Sequence, residues 1–534
     1  MTTAGGLDTG NSFSTSPSLR LTLGVLLAAF FYLLLRVPSP GFFLESNDQG
    51  YQMALGMAVA NGRYPGFDFV TQYGPFVAFT SWLAYAVSDN LIGEIVLCAG
   101  GYATSVALVY RYLSRHADRV VGLIGAVALL ILFPRYYKWY FWLLPITTLV
   151  FSDTFMAGRS SKPSPWRTLV GWGALVGLSG LFRYDLLFEG AVFGAIVIAA
   201  AELTPRDRLE TNILLAARRI GVFAVACAGP PVLYGALILA FRGWHQLALV
   251  LRSVVDGAID SVTFYGITPF RIFDTGSLAV LQIAIPLIYA AALVIATARL
   301  WDGGTPAWQR EKMFPLFATA LMGLGLFPQA LYCAEVQHLF QVLPPFIMTV
   351  ALMVSVALET RLSAGERFGA GLAVTVVVML LVSIAPRAAR DLGSPSRNPL
   401  ALWPALAGLP ESAVSQNPVA DMAAAIRRLT PPKATVFMMM PQSRMPMLFF
   451  AQRHQPGLFP TYEPGMFDGS PWLQENATLL GQTPPDFLVV ERPIAGQAQW
   501  ISAPYVPELL AEWSRSYPTV VYENESFLLL ERTE

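Results

Sequence analysis

Between residues 20 and 386, long apolar runs alternate with short polar turns; beyond that point the texture changes. The runs fall at 20–38, 91–112, 120–134, 138–157, 168–184, 186–203, 220–241, 275–298, 313–333, 339–358 and 368–386. Their lengths of about 15–25 residues suit a hydrocarbon core roughly 30 Å thick. A further stretch, 73–88, is short, opens with Gly-Pro and is rich in aromatics; it reads as interfacial or re-entrant rather than spanning. The pattern predicts a polytopic α-helical membrane protein with about eleven to twelve transmembrane helices. Residues 387–534 carry prolines, more charge and strand-like runs at 434–440, 486–491, 519–523 and 526–531, with a helix expected at Val506–Tyr517. Strands alternating with helical segments predict a small C-terminal α/β domain. Residues 1–19, rich in Ser, Thr and Gly and lacking a basic residue, read as a disordered cytoplasmic tail before a retained first helix, because no small-x-small cleavage site follows the first run.

Composition sharpens this picture. Of 534 residues, 54% are hydrophobic and only 13% charged, about half the charged share of a soluble domain. A net charge of zero offers no nucleic-acid signature. Cys98, Cys227 and Cys333 lie in or beside apolar runs and read as small buried hydrophobes rather than a disulfide or metal set.

Charge bias fixes an orientation. If 73–88 does not span and the N-terminus is cytoplasmic, the cytoplasmic loops hold Arg111, Arg115 and Arg119; Arg159, Lys162 and Arg167; Arg206, Arg208, Arg218 and Arg219; Arg299, Arg310 and Lys312; and Arg361 and Arg367. That satisfies the positive-inside rule. The opposite side then receives the first loop, 39–90, the Arg183–Asp185 turn, the loop 242–274, the turn around Glu335–His338 and the C-terminal domain.

Ionisable residues at membrane helices are costly and mark functional sites, and three clusters stand on that outer side. In the first loop, DQGYQMALGMAVANG places Tyr51, Leu55 and Ala58 at helical spacing, which predicts an amphipathic helix on the membrane surface with Asp48 at its N-cap. In LFRYD, Arg183 and Asp185 close an apolar run. Arg183 reads either as a snorkelling helix-end residue or as a planar fork for phosphate. In Gln329–Pro345, Glu335 and His338 share a face if helical. A structural histidine is the plainer reading of His338, and two ligands are too few for a closed zinc site.

The first loop resembles that of the GT-C superfamily of integral-membrane glycosyltransferases. The resemblance rests on Asp48-Gln49-Gly50-Tyr51, Asn61-Gly62-Arg63-Tyr64-Pro65, Asp68-Phe69 and Tyr73-Gly74-Pro75, in that order. Arg183–Asp185 is similar to the superfamily's basic-x-acid element at an outer helix end. The segment Glu335–His338 before Pro344-Pro345 is similar to a later loop of bacterial members, and the outer C-terminal domain also suits the superfamily. The acid pair is Glu45-x-x-Asp48 rather than D-x-D or E-x-D, and no signature that fixes a sugar is visible.

The resemblance implies an inner-membrane enzyme that takes a hexosyl or pentosyl group from a polyprenyl-phosphate donor. The acceptor would be a glycan, lipid or protein of the cell envelope, on the extracytoplasmic face. It implies Asp48 as general base, inverting the anomeric centre. The donor phosphate would meet Arg183 first, with Arg63, Arg271 and His338 behind it. Glu45, Asp68, Tyr51, Tyr73, Asp185 and Glu335 would orient substrates, and Glu45 with Asp48 would hold a divalent ion, Mg or Mn, if one is used. Tyr51, Tyr73, Phe264 and Tyr265 would line a sugar or prenyl path, or form an ordinary interfacial belt. Two other readings stay open: a transporter of lipid-linked saccharides, for which polar groups would gather near the midplane, and a non-catalytic scaffold whose outer domain binds a partner.

Overall fold

A computed structural model of the chain describes residues 17–36, 47–132, 138–158, 166–204, 209–265, 279–302, 305–331, 338–339, 342–359, 364–393, 417–439, 446–459, 470–492, 512–513 and 515–533. Each predicted apolar run carries a helix. In chain order these are α1 (Pro17–Leu35), α2 (Asn47–Ala60) and α3 (Pro75–Ser88) in the first loop, then α4 (Leu91–His116), α5 (Arg119–Ile131), α6 (Tyr140–Gly158), α7 (Trp166–Phe182) and α8 (Tyr184–Leu203). There follow α9 (Leu209–Tyr265), α10 (Ala279–Trp301), α11 (Ala307–Leu326), the single turn α12 (Pro328–Leu331), α13 (Leu343–Glu359) and α14 (Ala364–Gly393). Among the described residues, seven helices are long and apolar enough to cross a membrane, so the chain is a multi-pass integral membrane protein. Apolar side chains such as Phe31, Val225, Phe241 and Val294 point out of the bundle, as contact with lipid rather than water requires. Inside, Tyr102, Trp142, Trp172, Tyr289 and Phe346 fill one continuous core.

Helix α9 is broken at Gly243, where φ is 79°. Around the break it contacts the first loop from both sides: before it Arg242 pairs with Asp68, and after it Gln246 Nε2 donates to the Gly66 carbonyl at 3.0 Å.

The C-terminal domain comprises α15 (Pro418–Leu429), β1 (Val436–Met439), α16 (Pro446–Ala451), α17 (Ser470–Gln482), β2 (Phe487–Glu491), β3 (Thr519–Glu523) and β4 (Phe527–Glu531). The sheet order is β1-β2-β4-β3, with β1 parallel to β2 and the other pairs antiparallel. Alternation along the strands sorts the two faces. Val436, Met438, Val489 and Leu529 pack with α15, while Phe437, Leu488, Val490 and Leu530 pack with Trp513 and Tyr517. All four strand-like runs in the sequence are strands here. Of the helix expected at 506–517, the described residues 512–513 and 515–516 are helical.

One expectation is corrected. Helix α2 is not an amphipathic surface helix, since every residue from Gln49 to Val59 is buried. Its faces meet three partners. Tyr51, Leu55 and Ala58 join the membrane-helix core, Met53 and Met57 pack with Leu91, Ile95, Cys98 and Phe449, and Ala54 joins the C-terminal domain's core. A helix apolar on all sides is a buried helix. The close approach of α16 depends on Gly50, where an added Cβ would stand 2.3 Å from the Pro446 ring.

Candidate functional site

Asp48 lies in the first turn of α2, where the helix dipole favours a negative charge. Its Oδ2 accepts from the Lys138 ammonium at 3.1 Å, with the Lys138 side chain 4% exposed and that of Asp48 25% exposed. The cation is thus the buried partner and the carboxylate the accessible one. Lys138 stands just before α6 with φ at 58°, a left-handed conformation that a non-glycine residue holds only where its surroundings impose it.

Tyr73 links this pair to Arg183. The Lys138 ammonium is 5.7 Å from the centroid of the Tyr73 ring, and the Arg183 guanidinium is 5.4 Å from the same centroid; Arg183 also lies 4.9 Å from the Phe141 ring centroid. Both distances to Tyr73 fall within cation–π range. The Tyr73 ring is set by an edge-on contact with Tyr51 at 5.4 Å. The Tyr51 hydroxyl is hydrogen-bonded to Thr71 Oγ1 at 2.8 Å and accepts from the Gln72 amide at 3.3 Å. The next residue, Gly74, donates its N–H to the Phe182 carbonyl at 2.8 Å, which pins the Y-G-P segment to the end of α7, one residue before Arg183. Only glycine permits this approach, because a Cβ there would meet the Leu181 carbonyl oxygen at 2.1 Å.

Arg183 is the N-cap residue of α8. Its Nε donates to Asp185 Oδ1 at 3.0 Å, and its Nη2 reaches Asp185 Oδ2 and, at 3.5 Å, Gln329 Oε1. Asp185 Oδ1 also accepts the Leu186 amide at 2.9 Å. Asp185 therefore fixes the guanidinium in place as a bidentate partner.

Other predicted residues have different surroundings. Arg63 donates to the carbonyls of Gln455 and Gly457 in the C-terminal domain, and to the Asp68 carbonyl at 3.0 Å. Burial pushes its guanidinium down to about 10, with Asp68 partly opposing. These bonds staple the first loop to the C-terminal domain. Asp68 likewise holds the turn, through the Tyr64 amide at 2.8 Å and Arg242. Glu45, Arg271 and Glu335 lie outside the described residues, as do the side chains of Phe264 and Tyr265. His338 is described and half-buried.

The residues that sequence reasoning misses are Lys138, Gln329 and Glu189. A signal existed for Lys138: in the orientation drawn from charge, the turn holding Arg135 and Lys138 falls on the outer side, against the positive-inside rule. Glu189 carries one too, as an ionisable residue inside the apolar run 186–203, and Gln329 opens the third polar cluster, ahead of Glu335 and His338. Among the described residues no group of three or more His, Cys, Asp or Glu gathers. Glu45, the other half of the acid pair expected to hold a divalent ion with Asp48, lies outside the described residues.

No protein-family model and no curated protein matches the sequence. Among solved structures, the chain is similar to ArnT from Cupriavidus metallidurans bound to undecaprenyl phosphate, with a TM-score of 0.50 and 14% identity over 96% of this chain and 97% of that one. It is also similar to the apo state of ArnT, at a TM-score of 0.47 and 14% identity with the same coverage. The archaeal oligosaccharyltransferase AglB from Archaeoglobus fulgidus, in complex with an inhibitory peptide and a dolichol-phosphate, gives a TM-score of 0.46 at 14% identity over 88% of this chain and 69% of that one. At such identity the likeness is one of fold. The ArnT match, spanning nearly all of both chains, shows that this protein shares the fold of ArnT.

Proposed function

We propose that the protein is a membrane glycosyltransferase that moves a hexosyl or pentosyl group from a polyprenyl-phosphate donor to an acceptor hydroxyl of the cell envelope. One observation carries the reading: a part-exposed carboxylate, Asp48, is paired with the buried Lys138, and Lys138 and the part-exposed Arg183 flank the single ring of Tyr73. The fold shared with ArnT, whose structure holds undecaprenyl phosphate, supports the donor class.

The chemistry follows from these groups. The acceptor oxygen attacks the anomeric carbon as the bond from that carbon to the phosphate oxygen breaks, and its electron pair passes to the leaving lipid phosphate. Asp48 takes the proton from the acceptor hydroxyl. Charge that grows on the phosphate meets Lys138 and Arg183, which are already in place and so cost no reorganisation. A single displacement of this kind inverts the anomeric centre. The site faces outward from the cytoplasmic membrane, with the N-terminus cytoplasmic and the C-terminal domain extracytoplasmic, as the distribution of basic loops supports.

Asp48→Asn tests the assignment in proteoliposomes supplied with polyprenyl-phosphate-linked sugars. The variant is expected to insert normally, bind undecaprenyl phosphate and lose transfer by at least about a hundredfold. Turnover close to wild type would remove Asp48 as the base.

A further inference from the structure

Behind Arg183 lies a chain of polar contacts that the proposed mechanism does not use. Gln329, on the short turn α12, donates its amide nitrogen to two carboxylates: Asp185 Oδ2 and, at 3.3 Å, Glu189 Oε1. Its carbonyl oxygen faces Arg183 Nη2 at 3.5 Å. The chemistry of the partners dictates this orientation. A carboxylate held in a salt bridge accepts and a guanidinium only donates. The Gln329 nitrogen must therefore face Asp185, and its oxygen the arginine; Glu189 lies within reach of the same nitrogen.

Glu189 follows Asp185 by four residues on α8, so the two carboxylates share one helix face. Asp185 and Arg183 engage Gln329 from one side; Glu189 anchors its amide nitrogen from a further direction. Glu189 also lines a small cavity with Leu144, Thr148, Ser179, Leu186 and Leu326. Where so little room is left for water, a lost hydrogen bond is not readily replaced by solvent.

We propose that Glu189 is a positioning residue for donor binding, acting through the Gln329 amide to hold the Arg183 guanidinium at the angle that meets the lipid phosphate. The proposal rests on the reading that Arg183 grips that phosphate, and the test separates the two.

The full-length protein in nanodiscs is titrated with undecaprenyl phosphate, and each variant's melting temperature is followed in parallel. Arg183→Met reports on the underlying reading and is expected to weaken binding by tenfold or more, roughly the loss of one strong charge-assisted contact. Glu189→Leu and Gln329→Leu are each expected to weaken binding about fivefold to tenfold, with little change in melting temperature. The double variant is expected to be no worse than about the larger single loss, because both act along one path. Glu189→Gln keeps an acceptor oxygen for the Gln329 amide and is expected to stay within about twofold of wild type.

Wild-type binding by Glu189→Leu beside weakened binding by Arg183→Met would overturn the proposal alone. So would additive losses in the double variant, or a Glu189→Gln variant as impaired as Glu189→Leu. Wild-type binding by Arg183→Met would overturn the phosphate assignment itself, and the proposal with it.

Discussion

Gly74→Ala tests whether the Y-G-P segment is a precision part. The perturbation is one methyl group. In the wild-type backbone that methyl would sit 2.1 Å from the Leu181 carbonyl oxygen and 2.4 Å from its carbon, whereas ordinary contact begins at 3.4 Å. Backbone cannot rotate away as a flexible side chain can, so the segment and the end of α7 must part by about 1 Å. Tyr73 moves with Gly74, and with it the ring that spaces Lys138 from Arg183. A displacement of about 1 Å in a catalytic constellation costs on the order of a hundredfold in rate, equivalent to about 2.7 kcal/mol of activation free energy. The cost in stability should be smaller relative to the whole protein, about 1–3 kcal/mol for local overpacking. Transfer in proteoliposomes and melting temperature together measure both effects. Gly100→Ala, in α4 with open space around its Cβ position, serves as the control and should be neutral or slightly stabilising. A Gly74→Ala enzyme that turns over within about threefold of wild type would refute the reasoning.

Two further outcomes follow from the junction with the C-terminal domain. Arg63→Met removes three bonds to carbonyls; it should lower stability by about 2–3 kcal/mol while undecaprenyl phosphate binding is kept, and lost binding at unchanged stability would restore Arg63 to the phosphate site. Burial first, and the Arg63 cation second, hold the His454 imidazole down at about 4 against an ordinary 6.5. The unfolded chain therefore takes up the proton first as pH falls, and stability present above pH 6.5 drains away between 6.5 and about 4. The melting temperature should drop between about pH 7 and pH 5, with a smaller drop in His454→Gln; equal drops in both proteins would contradict this.

The legibility of this chain depends on what kind of force shapes each part. The bundle is readable because lipid demands long apolar helices, and the strands because their two faces alternate, as in Phe487–Glu491. Helix α2 misleads because the spacing of Tyr51, Leu55 and Ala58 marks only one of its buried faces; the faces formed by Met53, Met57 and Ala54 are covered by residues far along the chain. The site is half readable. Asp48, Tyr73, Arg183 and Asp185 stand in local motifs, and the structure gathers Asp48, Tyr73 and Arg183 with Lys138. Arg63 and Arg183 look alike in sequence, yet one is spent on backbone carbonyls and the other stands beside Tyr73 and Phe141. Lys138, Gln329 and Glu189 become meaningful only through partners brought close by packing.

A lipid phosphate bound beside Tyr73, between Lys138 and Arg183, would bring its sugar into reach of Asp48. An experimental structure of the full-length protein with undecaprenyl phosphate tests this most directly. A phosphate oxygen is expected about 3 Å from the Lys138 ammonium or the Arg183 guanidinium, with the Asp48 carboxylate beside the sugar. A phosphate bound elsewhere on the protein, with the Lys138–Asp48 pair and Arg183 untouched by it, would contradict the assignment.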